Sequence, residues 1–227
     1  MLIPSTGADS TVIRFSCGTE VELIAPALEP GRILLARLVQ TSGAKRVVIG
    51  FEDAVYELGS GGEEGGEAFA LIGLDLALKP GMHDLKMTVI LQDGRVEALR
   101  HPLLIRDRKF PVKKLRVKPE FVTPPPEVEE RIRWEAELLQ MAYSVITEDW
   151  LGEGTFEKPH PGESAGNFGE KRIYNEVPRS SHSGLDIAAP YGSPVRVSNS
   201  GRVVLARDLY FSGKTVILDH GLGVFSI

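Results

Sequence analysis

Two side chains that could bind a metal ion lie four residues apart in this 227-residue sequence, His182 and Asp186. A neutral imidazole nitrogen and a carboxylate oxygen are both good zinc ligands, at roughly 2.0 to 2.2 Å from the ion. Gly184 between them and Pro190 just beyond disfavour a helix, so we expect the pair on a turn that enters a β-strand. Spacing alone is also typical of a hydrogen-bonded surface pair, so both interpretations stay open at this point.

The sequence around this pair contains four motifs in a fixed order. They are Phe-Gly-x-x-Arg at 168–172, Arg-x-x-His-x-Gly-x-Asp-x-Ala-Ala-Pro at 179–190, Gly-x-Val-x-x-Ala at 201–206 and Val-Ile-x-x-His-Gly-x-Gly at 216–223. In this order the motifs resemble the lysostaphin/LytM-type zinc metallopeptidases, which cut peptidoglycan cross-links. The resemblance covers about residues 152–227, and the part before it is similar to the all-β amino-terminal region of some secreted bacterial members.

This resemblance implies a zinc site and a substrate groove. It makes His182 and Asp186 two zinc ligands and Zn²⁺ the cofactor. It also implies that Arg172, Asn175 and Arg179 lie at the rim of the groove and bind substrate.

The resemblance also implies that part of the site lies outside these residues. In the family, a third ligand and two catalytic histidines follow the position that matches His220, and the third ligand is the second His of a His-x-His motif. They would fall beyond Ile227, so we assign no catalytic residue within this chain. His220 matches a turn position and does not replace the missing ligand.

Composition and charge exclude some classes of protein. The hydrophobic content of 42% is ample for a packed core, and the length suggests one or two domains. A net charge of −5 with scattered basic residues argues against a protein that binds nucleic acid or anionic membranes. No apolar run reaches the ~18 residues that a transmembrane helix needs, and residues 1–11 do not read as a signal peptide. Together with the resemblance, this predicts a periplasmic or secreted protein whose signal peptide is absent from this chain.

Residues 1–117 are predicted to form an immunoglobulin-like β-sandwich of about seven strands. An Asp93-Gly94 pair predicts a type I′ hairpin turn, and the glycine-rich tract at 59–66 predicts a flexible hairpin. The predicted strands include Val21–Ile24, Ile33–Val39, Val47–Phe51, Ala68–Leu76, His83–Leu91 and Val96–Ile105.

Residues 118–150 are predicted to form a proline-rich linker and a helix. Three prolines at 124–126 precede acidic residues that favour a helix amino terminus, and the helix is expected over Glu127–Thr147. Two apolar stripes, one containing Leu139 and the other Leu138, leave two alternatives open. The helix is either a strut between the sandwich and the following domain, with the two leucines contacting different domains, or it lies on the sandwich.

Residues 151–227 are predicted to form part of an antiparallel β-sheet peptidase domain, with strands near 195–197, 203–206 and 216–218. The whole chain is therefore expected to be mainly β. A Ser/His/Asp triad built on Ser181 or Ser183 is excluded, because neighbouring strand residues point to opposite faces and no Gly-x-Ser-x-Gly elbow is present.

The sequence thus predicts a zinc metalloendopeptidase that hydrolyses peptide cross-links of peptidoglycan and is inactive in this 227-residue form. The alternative is a catalytically dead LytM-like protein of the cell envelope that binds or activates a protein partner. A third hypothesis is a structural module in which His182 and Asp186 only form a hydrogen bond. We also expect that the sheet near residues 223–227 lacks cover, which favours aggregation of this form.

Overall fold

The computed structural model describes residues 9–60, 67–118 and 122–227. Residues 61–66 of the predicted glycine-rich hairpin therefore lie outside the described residues. The chain divides into two compact units. The first contains residues 1–108, 147–152 and 221–224, and the second contains residues 109–146, 153–220 and 225–227.

Two antiparallel sheets form the first unit. The five-stranded sheet has the order β1-β2-β3-β7-β6, and the four-stranded sheet has the order β5-β4-β8-β9. The strands are β1 (Asp9–Arg14), β2 (Glu20–Ala25), β3 (Ile33–Gln40), β4 (Ala44–Phe51), β5 (Ala54–Glu57), β6 (Gly59–Ser60), β7 (Ala68–Gly73), β8 (Gly81–Leu91) and β9 (Val96–Ile105). Each of the six predicted strands overlaps one of these.

One hydrophobic core lies between the two sheets of the first unit. The alternating pattern of strand β8 shows how this core forms. Leu85, Met87 and Val89 point to the inner face and are each fully buried, and they alternate with more exposed residues. They share one cluster with Leu34 and Ile72 of the other sheet, so the two inner faces pack together as a β-sandwich. The expected mainly β fold is confirmed.

The turn between β8 and β9 differs from the prediction. A type I′ turn needs positive φ at both central residues, but at Asp93-Gly94 only Gly94 has one, at 86°. Gly94 N donates to Leu91 O over 3.0 Å, and Leu91 N donates to Arg95 O over 2.8 Å. The loop is therefore a type I turn followed by a left-handed glycine, which closes the hairpin with one more residue than predicted.

The second unit contains the helix and two small sheets. Strands β10 and β11 pair in parallel, β11 and β12 are antiparallel, and β13, β14 and β15 form a separate antiparallel sheet. The elements are β10 (Val112–Leu115), α1 (Pro126–Ser144), β11 (Lys171–Tyr174), β12 (Val177–Ser181), β13 (Arg202–Leu209), β14 (Gly213–Asp219) and β15 (Phe225–Ser226). The strand predicted at 195–197 does not form; the segment follows Pro194, and both Val195 and Val197 are exposed.

Helix α1 begins and ends close to the predicted positions. Pro125 is the amino-terminal cap, and Glu127 and Glu129 follow in the first turn, where the helix dipole favours negative charge. The helix ends three residues earlier than expected, because Val145 is already extended at ψ 114°. Among the described residues, no helix combines the length and apolar character needed to cross a membrane.

The contacts of α1 show which way its apolar residues face. Leu138 and Leu139 both pack against one cluster, formed by three buried residues of β13 and β14: Leu205, Leu209 and Ile217. The prediction that these two leucines contact different domains is therefore wrong. Their burial on one surface follows from positions one residue apart, about 100° around the helix, so that one broad face can include both.

Candidate metal centre

Strand β12 carries the chain directly into His182. Strands β11 and β12 are joined by Asn175 and Glu176, whose φ angles of 48° and 65° give the left-handed turn that a two-residue hairpin needs. After β12, the backbone N of His182 donates to Glu170 O over 2.9 Å, and Gly169 N donates to His182 O over 2.7 Å. His182 is thus held by its backbone on both sides, and the pair follows a strand where we had expected it to enter one.

Asp186 lies in the loop that follows His182. Its backbone O accepts a hydrogen bond from Ala165 N over 2.9 Å, and its backbone N donates to Asn167 Oδ1 over 3.1 Å. An isolated bridge between Ser164 and Ile187 continues this contact. The segment 164–167 therefore holds the carboxylate-bearing loop in place.

The structure brings the two predicted ligands together. His182 Nε2 lies 3.4 Å from Asp186 Oδ1. On the other side of the ring, His182 Nδ1 lies 3.2 Å from Asn167 O. A backbone carbonyl only accepts hydrogen bonds, so Nδ1 carries the hydrogen, and a neutral ring presents its Nε2 lone pair to the Asp186 carboxylate. Two acceptors that face each other in this way need a proton or a cation between them.

The geometry of this pair fits two ligands of one zinc ion. Two ligand atoms at roughly 2.0 to 2.2 Å from a tetrahedral ion are about 3.3 Å apart, which is close to the observed separation. A zinc-bound histidine normally donates its other N–H to a carbonyl or carboxylate, and His182 does so to Asn167. His182 is largely buried, with 17% of its side chain exposed, whereas 62% of the Asp186 side chain is exposed.

The second oxygen of Asp186 is occupied by other partners. Asn167 Nδ2 donates to Asp186 Oδ2 over 2.6 Å, and a terminal nitrogen of Arg172 lies 3.5 Å from the same oxygen. Arg172 Nε lies 3.4 Å from Oε1 of the buried Glu170. Burial alone would lower the pKa of Arg172, but the hydrogen bonds that Arg172 donates to Tyr174 and Glu170 outweigh it and raise that pKa. The cluster therefore places one fixed cation between two carboxylates.

Among the described residues, this centre contains two candidate donor side chains, His182 and Asp186. Within residues 9–60, 67–118 and 122–227, no group of three or more His, Cys, Asp and Glu residues is arranged to hold a metal ion. The pair itself offers one nitrogen and one oxygen.

His220 is used differently from His182. It is fully buried, with Nδ1 2.7 Å from Ser200 O and Nε2 2.8 Å from Ser226 Oγ. The Phe156 ring packs edge-on against it at 5.0 Å between centroids. Both ring nitrogens are therefore engaged by the protein, as expected for a residue at a turn position.

The three residues predicted to bind substrate have different surroundings. Arg172 faces Asp186 and Glu170, as described. Asn175 binds the segment that follows β10, since its Nδ2 donates to Val117 O over 2.8 Å and its Oδ1 accepts from Val117 N over 3.0 Å. It also lines a surface cavity of about 560 Å³. Arg179 lies on β12, and its side chain is outside the described part of the structure.

Asn167 contacts both members of the pair, yet the sequence around it gives little indication of these contacts. It precedes the Phe168-Gly169 motif, which is the one available signal, and an asparagine in a turn needs no further explanation. Its separation of 19 residues from Asp186 conceals the contact.

Comparison with known proteins supports the resemblance that the motifs indicate. Residues 180–227 match the model of Peptidase family M23. A stretch of 56 residues is 38% identical to the peptidoglycan DD-endopeptidase ShyA of Vibrio cholerae serotype O1. This stretch covers 24% of the chain and spans only 13% of the length of that relative.

The fold is also similar to a solved structure. A crystal structure of a "putative peptidase M23" from Pseudomonas aeruginosa aligns with a TM-score of 0.60 and 24% identity, covering 87% of this chain and 71% of that chain. At this identity the likeness concerns the fold. Together with the match of residues 180–227, which includes both His182 and Asp186, it confirms the resemblance of this mainly β chain to the LytM-type peptidases of family M23.

Proposed function

We propose that this chain is a zinc metalloendopeptidase that hydrolyses peptide cross-links of peptidoglycan. The observation that carries the proposal is the 3.4 Å approach of His182 Nε2 to Asp186 Oδ1 inside the segment that matches family M23. The substrate class is supported by the relative's name, a peptidoglycan DD-endopeptidase. Such a substrate also implies a periplasmic or secreted location.

In this proposal His182 and Asp186 hold Zn²⁺ through Nε2 and Oδ1. When bound there, Zn²⁺ would supply Lewis-acid chemistry, with polarisation of the scissile carbonyl and acidification of a water molecule. Asn167 keeps the His182 ring oriented by accepting its Nδ1 hydrogen, and it occupies Asp186 Oδ2 together with Arg172. Asp186 is more than half exposed, which leaves this side of the pair open to a substrate.

We propose Arg172, Asn175 and Arg179 as substrate-binding candidates of unequal strength. Arg172 is only 23% exposed and already engages two carboxylates, so its main effect would be to position Asp186. The Asn175 amide is engaged by Val117. Arg179 therefore becomes the first of the three to test by changes in substrate affinity.

A catalytically dead binding or activator protein is the second candidate. It is favoured by the donor count, because catalytic zinc sites normally use three protein ligands plus water and the described residues bring two together. In this candidate the same surface binds a protein partner of the cell envelope. Both candidates predict weak zinc binding and no peptidoglycan cleavage by the 227 residues alone.

Supplying a third metal ligand distinguishes the two candidate functions. Zinc affinity and muropeptide release from purified peptidoglycan are measured for the 227-residue chain and for a form extended by a segment with a His-x-His motif. The enzyme hypothesis predicts tight binding and cleavage by the extended form, with both lost in His182→Ala and Asp186→Ala. Tight binding without cleavage supports the binding protein. If neither form binds zinc, the proposed metal site is wrong.

A further inference from the structure

One residue, Asn167, forms hydrogen bonds with both members of the metal pair. Its Nδ2 donates to Asp186 Oδ2 over 2.6 Å, its Oδ1 accepts from Asp186 N over 3.1 Å, and its backbone O lies 3.2 Å from His182 Nδ1. We infer that Asn167 is a positioning residue that selects which atoms of His182 and Asp186 face the metal ion. The metal part of this inference rests on the proposed function, whereas the orientation of the two side chains does not.

A carboxamide is well suited to these contacts with Asp186. The side chain carries a donor and an acceptor on one carbon, so it can bind the Asp186 carboxylate and the Asp186 backbone N–H at the same time. A carboxylate in place of Asn167 would lack the donor and would repel Asp186 Oδ2. A serine or alanine at this position is too short to span both groups.

The contacts decide which oxygen of Asp186 remains available. Asn167 and Arg172 both lie at Oδ2, which leaves Oδ1 opposite His182 Nε2. Because the Asp186 side chain is 62% exposed, it would otherwise sample several rotamers, and ordering it on metal binding would cost conformational entropy. Asn167 lowers this cost by holding the carboxylate before the ion arrives.

The segment around Asn167 is itself firmly placed. Asn167 O also accepts a hydrogen bond from Glu170 N over 3.2 Å, which closes a tight turn. Gly169 in this turn has φ 78°, and a Cβ there would lie 2.1 Å from the Phe110 ring, so the turn fits closely only with glycine. The Phe110 and Phe168 rings pack edge-on at 6.5 Å between centroids. A turn fixed in this way gives Asn167 a stable position from which to orient the pair.

The test uses Asn167→Ala, and Asn167→Leu as a variant that keeps the bulk but removes the polar atoms. Neither substitution creates a new ligand. Ser164→Ala is the matched control, because Ser164 lies in the same segment and pairs with Ile187 through its backbone. Folding of each variant is checked by circular dichroism. The χ1 rotamer of Asp186 is read from its Hα–Hβ coupling constants by NMR, with the signals assigned by Asp186→Ala, and zinc affinity is measured by competition with a chromophoric chelator.

We expect the wild type and Ser164→Ala to hold Asp186 in one χ1 rotamer. Both Asn167 variants keep the backbone O that accepts from His182 Nδ1 but lose the side-chain contacts with Asp186, so we expect them to show averaging over several Asp186 rotamers. Loss of a residue that orients ligands typically weakens metal binding by about 10- to 100-fold, and we expect this loss in both Asn167 variants. If the wild type binds zinc and both variants retain that affinity within about twofold, the inference is wrong while the metal site stands.

A different result separates the inference from the proposed function. If the wild type binds no zinc but the Asp186 rotamer still becomes averaged in both Asn167 variants, the positioning role is supported and the metal function fails. If neither the Asp186 rotamer nor zinc binding changes, the inference is overturned.

Discussion

At the scale of single residues, His182 and His220 of the second unit show how the surroundings decide what an imidazole can do. His220 is fully buried and engages both ring nitrogens, with Ser200 O and Ser226 Oγ. His182 engages Nδ1 in the same way but directs Nε2 towards a carboxylate. The residue type is the same, and the difference lies in what faces the second nitrogen.

His220 is therefore expected to matter for stability and not for metal binding. Replacing it by Ala removes two hydrogen bonds and the ring packed against Phe156. We expect a loss of about 2 to 5 kcal/mol in the free energy of unfolding, as for other large-to-small changes in a core. Urea titration measures the loss. Zinc affinity under native conditions should remain close to wild type, and a selective loss of zinc binding in a fully folded variant would contradict this role.

A second residue-scale prediction concerns His83 in the sandwich. Its Nδ1 bonds Glu52 Oε1 over 2.7 Å, and its Nε2 lies 2.8 Å from Lys79 O. The hydrogen bond with Glu52, followed by that with Lys79, raises the pKa of His83 above its ordinary value of 6.5. A raised folded-state pKa stabilises the protein fully below about pH 6.5, and the stabilisation disappears as pH rises through the folded-state pKa.

The free-energy difference between wild type and His83→Gln should therefore be larger at about pH 5.5 than at about pH 8.5. Urea unfolding at the two pH values measures it. Glu52→Gln removes the same carboxylate partner and should reduce the same pH dependence. Equal differences at both pH values would show that the Glu52 pair does not stabilise the folded state.

At the scale of secondary-structure elements, a buried carboxylate fixes α1 to the β13–β14 hairpin. Glu135 Oε2 accepts a hydrogen bond from Tyr210 N over 2.8 Å, and Glu135 Oε1 accepts one from Arg131 Nε over 2.6 Å. Arg131 also donates to Asp208 O over 3.0 Å. Burial alone would raise the pKa of Glu135, but the hydrogen bonds from Tyr210 and Arg131 outweigh it, so the pKa is lowered.

Glu135→Gln should destabilise the second unit by about 1 to 3 kcal/mol at neutral pH, because the Tyr210 N–H and the Arg131 guanidinium lose a charged, buried acceptor. A lowered folded-state pKa gives stability that is present above about pH 4.5 and is lost as pH falls through the folded-state value. The difference in the free energy of unfolding between wild type and Glu135→Gln should therefore shrink as pH falls below about 4.5. Glu137→Gln, at an exposed position of the same helix, is the control and should stay within about 0.5 kcal/mol of wild type.

At the scale of the whole molecule, the two units have cores of different size. The sandwich core includes fully buried residues from both sheets, such as Ile49, Ile72 and Met87. The cluster of the second unit has three buried members, Leu205, Leu209 and Ile217, with α1 and Phe225 packed against it. Local stability follows the amount of buried apolar contact, so the two units should differ in protection.

Hydrogen exchange followed by mass spectrometry should show this difference directly. We expect the slowest amide exchange in β4 and β8 of the sandwich, faster exchange in β13 and β14, and the fastest in the short strands β10 to β12. Exchange in β13 and β14 as slow as in β8 would mean that the second unit is stabilised by more than its own small cluster.

Several features of the fold could be predicted from local sequence. The alternation in β8, the proline and acidic residues before α1, and the glycines at turns act over a few residues, because they reflect side-chain direction, capping and backbone freedom. His182 and Asp186 were likewise identifiable from their types and from the motifs around them. Each of these depends on neighbours in the chain.

Other features were decided by tertiary structure. Asn167 reaches Asp186 across 19 residues, and Asn175 reaches Val117 across 58, so their roles depend on how distant segments meet. Leu138 and Leu139 pack on one cluster because of where β13 and β14 lie, which helical periodicity alone does not specify. Residue spacing determined which side chains could bind a metal ion, and the path of the chain decided which atoms of those side chains face each other, because hydrogen bonds between distant segments have no signature in local sequence.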